Sequence, residues 1–202
     1  MYPGCMSQKM VPIREQTRAV VRSLLARTAL ELFAAKGYDN TTVEEVAAAA
    51  GVSRRTLFNY FRNKEDLALS SLSEQGEAIA ARFAQRPATE DVWKSLGAEF
   101  GILLEIEMSA EDRLEIVTLL FDNESLRAGH AEKQARWQDL LAPLIEPRLP
   151  VSEHRALESR AIAAAAITCL QSANEEWVRL RGNADVADLY DTAVRAVRRT
   201  KR

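Results

Sequence analysis

At 202 residues, with 47% hydrophobic and 28% charged residues, the chain can bury a real core, and its ordinary globular composition excludes a disordered or fibrous design. A formal net charge of -2 excludes a protein that coats nucleic acid over its whole surface. Only Cys5 and Cys169 occur, with no CxxC spacing and no Cys/His cluster, so neither a disulfide framework nor a zinc site is indicated and a reducing cytoplasm fits.

The opening MYPGCMSQKM has no apolar stretch followed by a cleavage signature, so residues 1–15 read as a disordered tail rather than a signal peptide. From Gln16 to Lys36, Val20, Val21, Leu24, Leu25, Thr28, Leu32 and Phe33 recur at three- and four-residue spacing, which places them on one face of a helix. Gly37 is its natural stop, because glycine takes positive φ without a Cβ clash. Thr42 with Glu45 forms a capping box that opens a short helix at Val43, ending at Gly51. Ser53 is the N-cap of a second short helix through Phe61. Short helix, glycine-containing turn and short helix make a helix-turn-helix, with Val46, Val52, Leu57 and Phe61 forming a small core with Leu32 and Phe33.

Asn63 and Asp66 mark another capped start, for a helix expected to run to about Gln85 before Pro87 breaks the chain. Further helices are expected over 90–107, 111–122, 124–148, 153–181 and 185–199, giving an all-α fold of about nine helices. The longest apolar stretch, Ala161 to Leu170, falls far short of the roughly 18 residues that span a bilayer, so no membrane helix is expected.

The stretch from Arg22 to Leu69 resembles the N-terminal domain of the TetR family of transcriptional regulators. The matching residues are Ala29-Leu30-Glu31-Leu32-Phe33, Gly37-Tyr38, Thr41-Thr42-Val43, Val46-Ala47, Ala50-Gly51-Val52-Ser53, Thr56-Leu57-Phe58-Asn59-Tyr60-Phe61 and Asn63-Lys64-Glu65-Asp66-Leu67. The resemblance implies a TetR-type helix-turn-helix DNA-binding domain over 16–69, with its motif at about 42–61, and a helical ligand-binding and dimerisation domain over 70–202. It also implies a homodimer bound to double-stranded operator DNA, and the two-part layout suggests a cytoplasmic repressor relieved when an effector between the middle helices tilts the helix starting near Lys64. Charge distribution agrees: through Ser70 ten basic residues face seven acidic ones, so this part carries +3 and the rest -5.

A helix in the major groove presents its N-terminal residues to base edges, while caps and flanking cations hold phosphates. Arg54 and Arg55 stand in the first turn of the recognition helix, and either can donate in parallel to O6 and N7 of guanine. Thr42, Ser53 and Thr56 are caps whose hydroxyls are also compatible with phosphate contact. Asn59, Tyr60 and Lys64 match family positions that commonly touch bases or backbone, although Tyr60 also reads as a half-buried ring and Lys64 as a surface lysine. Leu57 and Phe61 are core, and Phe58 lacks the hydroxyl that the family often carries there.

The alanine run Ala161, Ala163 to Ala166 suits either a close dimer contact or the monomer core. Effector-binding candidates are Phe100, Leu104, Met108, Phe121, Trp137, Leu141, Leu170, Gln171, Asn174 and Trp177, each of which also reads as core. The segment Ala135-Arg136-Trp137, followed by an alanine-rich helix ending in Asn174-Glu175-Glu176-Trp177-Val178, resembles a subgroup whose effectors are acyl-CoA-like, which implies a hydrophobic effector. Two alternatives are a regulator that answers to a protein partner instead of a small molecule, and a redox sensor using Cys169. Catalysis is not expected: His130 and His154 are the two histidines, and GxSxG, HExxH, P-loop and GxGxxG motifs are absent, so no catalytic residue, metal or cofactor is assigned.

Overall fold

The computed structural model describes residues 13–104 and 109–199, which carry ten α-helices, one 3-10 turn and no strand. The head comprises α1 (Ile13–Lys36), α2 (Val43–Ala49), α3 (Arg54–Phe58) and α4 (Lys64–Ala68). The body comprises α5 (Ser70–Gln85), α6 (Val92–Leu104), α7 (Ala110–Asp122), α8 (Glu124–Ile145), α9 (Arg155–Arg179) and α10 (Val186–Arg198), with the 3-10 turn Glu146–Arg148 after α8.

The local signals act as expected in the head. Gly37 has φ +83° and closes α1 through its N–H to the Phe33 carbonyl at 2.9 Å. Gly51, at φ +68°, ends α2 in a Schellman motif: Gly51 N–H donates to Ala48 and Val52 N–H to Ala47. Val46, Leu57, Phe61 and Phe33 are buried together, with Leu32 and Val52 packed against them.

Most boundaries fall within two residues of expectation, and four departures are larger or interrupt a helix. Ile13 to Glu15, placed in the tail, are the first residues of α1, since nothing between them and Gln16 breaks a helix. Helix α3 ends at Phe58, three residues early, and the carbonyls of Asn59 and Tyr60 accept side-chain donors from α1. The helix expected over 63–85 is two helices, interrupted at Leu69 with φ -96° and ψ 2°, which makes ten where nine were expected. Leu69 packs on Gly129 of α8 so closely that a Cβ there would stand 2.4 Å from its Cδ1. Finally, α8 gives way to the 3-10 turn after Ile145, following Pro143 within its last turn.

Two cores result. The body core joins Ile79, Phe83, Leu96, Phe100, Leu141, Ile145, Ile167, Trp177 and Tyr190. The head core is completed by the body, because Leu120 of α7 and Leu126 of α8 are buried among Leu25, Phe33 and Leu67. At the far end of α5, Glu99 is buried to 3% side-chain exposure between Arg82 at 2.7 Å and Arg86 at 3.1 Å. Arg86 also pairs with Glu90 at 2.6 Å, and Arg148 donates to the Phe83 and Arg86 carbonyls at 2.6 and 3.0 Å.

Candidate nucleic-acid interface and the adjoining cavity

The exposed edge of the head is built from helix caps. Thr42 accepts from Glu45 N–H at 3.2 Å, and its own N–H donates to the Glu45 carboxylate at 2.8 Å, so each side chain satisfies the other's backbone. That Thr42 N–H, with Lys36 at 3.0 Å, holds the Glu45 carboxyl down at about 2. Ser53 accepts from Thr56 N–H at 3.0 Å, and the two hydroxyls lie 2.8 Å apart.

The two arginines of α3 differ. Arg54 pairs with Glu44 of α2 at 2.9 Å and lies 5.3 Å from the Phe58 ring centroid. Arg55 is exposed, and its guanidinium meets no partner among the described residues. Asn59 is the exposed C-cap of α3. Tyr60 is half-buried, with the Arg18 guanidinium 5.2 Å from its ring centroid. Lys64 turns inward: its ammonium donates to the Tyr38 carbonyl and sits 4.1 Å from the Tyr38 ring. Thr42, Ser53, Arg54, Arg55 and Asn59 are thus exposed, while Thr56, Tyr60 and Lys64 are half-buried.

Behind the head lies a cavity of about 740 Å³. Its walls come from both halves of the molecule: Ala19 to Leu30 of α1 on one side, and residues of α5, α7, α8 and α9 on the other. Of the effector-binding candidates, Phe121, Trp137, Leu170 and Asn174 line it. The Trp137 indole N–H donates to the Leu72 carbonyl at 2.8 Å, and its ring presses on Gly76, where a Cβ would lie 2.3 Å away. His130 stands edge-on to Phe121, with centroids 5.7 Å apart, and 3.4 Å from Gln134 Nε2. Burial pushes the His130 pKa down, which keeps the ring neutral at pH 7.

Four other candidates, Phe100, Leu141, Gln171 and Trp177, do not line the cavity. Phe100 and Trp177 are 1% exposed and fill the body core, Phe100 edge-on to Tyr190 and Trp177 beneath the Arg113 guanidinium. Leu141 is buried in the same core, and Gln171 bonds Glu175 at 2.9 Å. The Leu104 side chain and the whole of Met108 lie outside the described residues. Sequence reasoning missed the α1 wall, although a signal existed: Val20 and Leu24 extend the apolar face of α1, and the head's own helices leave them 69% and 48% exposed. It also missed His130 and Gln134, whose one-turn spacing on α8 directs both to the cavity. Cys169 is buried, and burial raises its thiol pKa, which disfavours the thiolate that redox sensing requires. Among the described residues, no helix is long and apolar enough to cross a membrane, and no group of three or more His, Cys, Asp or Glu is placed to hold a metal ion.

Comparison with known proteins finds two family models along the chain. Residues 25–70 match the model of bacterial regulatory proteins of the tetR family, and residues 106–201 match that of the MftR C-terminal domain. The HTH-type transcriptional regulator TcmR of Streptomyces glaucescens is 30% identical over 196 residues, covering 92% of this chain and 86% of that protein. The TetR-family repressor FadR of Thermus thermophilus, solved with lauroyl-CoA, is 25% identical with a TM-score of 0.57, covering 90% of this chain and 96% of that one. FadR of Bacillus subtilis, solved with stearoyl-CoA, shares the fold with a TM-score of 0.60 at 19% identity, covering 89% of this chain and 99% of that one. Regulators of this kind bind operator DNA and act as dimers. A capped helix-turn-helix joined to a hollow helical body, with a relative aligned along nearly the whole length, establishes that the chain belongs to the TetR family of transcriptional regulators.

Proposed function

We propose that the protein is a dimeric repressor that reads its operator through the first turn of α3 and releases it when a largely apolar, acyl-CoA-like effector enters the cavity behind the head. Residues 16–69 form the DNA-binding domain in this reading, and residues 70–202 carry effector binding and dimerisation. The observation that carries it is the cavity itself: a hollow of about 740 Å³ with predominantly apolar walls, touching head and body at once. The lauroyl-CoA and stearoyl-CoA bound to the two FadR proteins support an acyl-CoA as the effector class. For the DNA, the contrast between Arg54 and Arg55 favours Arg55 as the base reader, since Arg54 is already committed to Glu44. Thr42, Ser53, Thr56, Asn59, Tyr60 and Lys64 flank it as backbone contacts and supports. For the dimer, Leu157, Ala161, Ala164, Ala165 and Thr168 form an outward face of α9, while Ala163 and Ala166 pack inward, so close approach of a second copy is sterically open.

The test is fluorescence anisotropy on a duplex selected from random sequence, with wild type and Arg55→Ala, each with and without lauroyl-CoA. Saturating lauroyl-CoA should weaken wild-type binding, because an effector shifts the equilibrium by its unequal affinity for the two states. Arg55→Ala should lose about 1–3 kcal/mol of discrimination at one base pair. Undiminished binding with lauroyl-CoA present would remove it as effector, and full discrimination in Arg55→Ala would remove Arg55 as the reader.

A further inference from the structure

Helix α3 spans five residues, too few to be stable by themselves. Its end leaves carbonyls that need donors, and cations are favoured there. Two arginines one turn apart on α1 supply both. Arg18 Nη2 donates to the Asn59 carbonyl at 2.9 Å, and Arg22 Nη1 donates to the Tyr60 carbonyl, with its guanidinium 4.5 Å from the Phe61 ring centroid. Arg22 reaches further. It also faces Asp66 of α4 at 3.7 Å and Glu74 of α5 at 3.8 Å. The same Glu74 accepts the Ser23 hydroxyl at 2.8 Å, and Ser23 and Glu74 both line the cavity. One guanidinium therefore ties the end of the recognition helix, the start of α4, and a carboxylate on the cavity wall.

We propose that Arg22 is a positioning residue for operator reading: it fixes the angle of α3 through the Tyr60 carbonyl, touches no DNA, and is itself held by the cavity-wall carboxylate of Glu74. The planar fork of arginine can serve the carbonyl and the two carboxylates together, which the compact ammonium of lysine cannot. A parallel pair of bonds from α3 to a base tolerates little tilt, so loosening the clamp degrades specific binding first. Nonspecific binding, set by phosphate neutralisation, is left alone.

The experiment compares the full-length wild type with Arg22→Lys and Glu74→Gln on the selected duplex and on random duplex, each over a salt series. The inference rests on α3 as the reading helix, so Arg55→Ala is run beside them. Arg22→Lys should bind the selected duplex at least tenfold more weakly and random duplex within twofold of wild type, with an unchanged slope of log K against log salt. Glu74→Gln, at an exposed site that should fold normally, should show the same pattern at about threefold. A slope lowered by about one would make Arg22 a phosphate contact and overturn the proposal. So would wild-type specificity in both Arg22→Lys and Glu74→Gln beside a defective Arg55→Ala. Undiminished specificity in Arg55→Ala would instead remove the reading of α3. If Arg22→Lys fails to fold, Glu74→Gln decides alone, and wild-type specificity there overturns the clamp.

Discussion

The two ends of α5 are built on opposite plans. At the far end, buried Glu99 sits between Arg82 and Arg86 while Arg148 closes over two carbonyls, so α5, α6 and the 3-10 turn after α8 are locked by charge-assisted bonds. At the near end α5 borders a cavity, starts at the break of Leu69, and is held by one indole bond from Trp137 and by the exposed carboxylate of Glu74. Close-packed interiors shift between discrete arrangements where space exists and resist where it does not. In the proposed effector response, the near end is therefore the part with space to move and the far end is its anchor.

Breaking the anchor should have the largest effect. Glu99→Ala leaves Arg82 without its carboxylate and Arg86 with Glu90 alone, and should cost about 3 kcal/mol, read as a lower denaturant midpoint, with operator specificity in the surviving folded protein unchanged. Loss of specificity without loss of stability would invert the assignment of anchor and moving end. Gly76→Ala acts at the near end: the added methyl meets the Trp137 ring and should cost about 1–3 kcal/mol. It should also push the indole into the cavity and weaken lauroyl-CoA binding by calorimetry; unaltered binding would show that the wall yields elsewhere.

Acidification separates the ends more gently. His130 has a pKa lowered by burial, so the unfolded chain takes up its proton first, and near-end stability should decline as pH falls below about 6.5. Glu90 is held at about 2 by its bond from Arg86, so the stability it contributes at the far end is complete above about 4.5 and disappears only as pH approaches 2. Hydrogen exchange at pH 7 and pH 5 should show α8 near His130 loosening while the start of α6 stays protected. His130→Gln should remove that difference; if it persists, another group titrates.

What the sequence disclosed follows the range of each interaction. The Thr42–Glu45 box, the Ser53 cap and the Gly37 and Gly51 stops depend on residues within five positions of each other, and all four stand as expected. At its break Leu69 packs on Gly129, sixty residues away, and the clamp on α3 comes from α1 about forty residues earlier, so neither contact leaves a local trace. The cavity was half legible for another reason. Apolar periodicity reports which residues avoid water, and Phe100, Leu141 and Trp177 do so in the core as well as Phe121, Trp137 and Leu170 do around a hollow. Arg54 and Arg55 are adjacent and chemically identical, and only the position of Glu44 tells them apart.

The leucines that the body lends to the head bear on how such proteins can be recombined. Leu120 and Leu126 lie in the core beneath α1 and α4, so a hybrid that keeps residues 1–69 and takes its remainder from another regulator would inherit a gap where two side chains belong. The transplantable unit is the head together with the α7–α8 corner, and a graft that respects that seam should retain its grip on DNA.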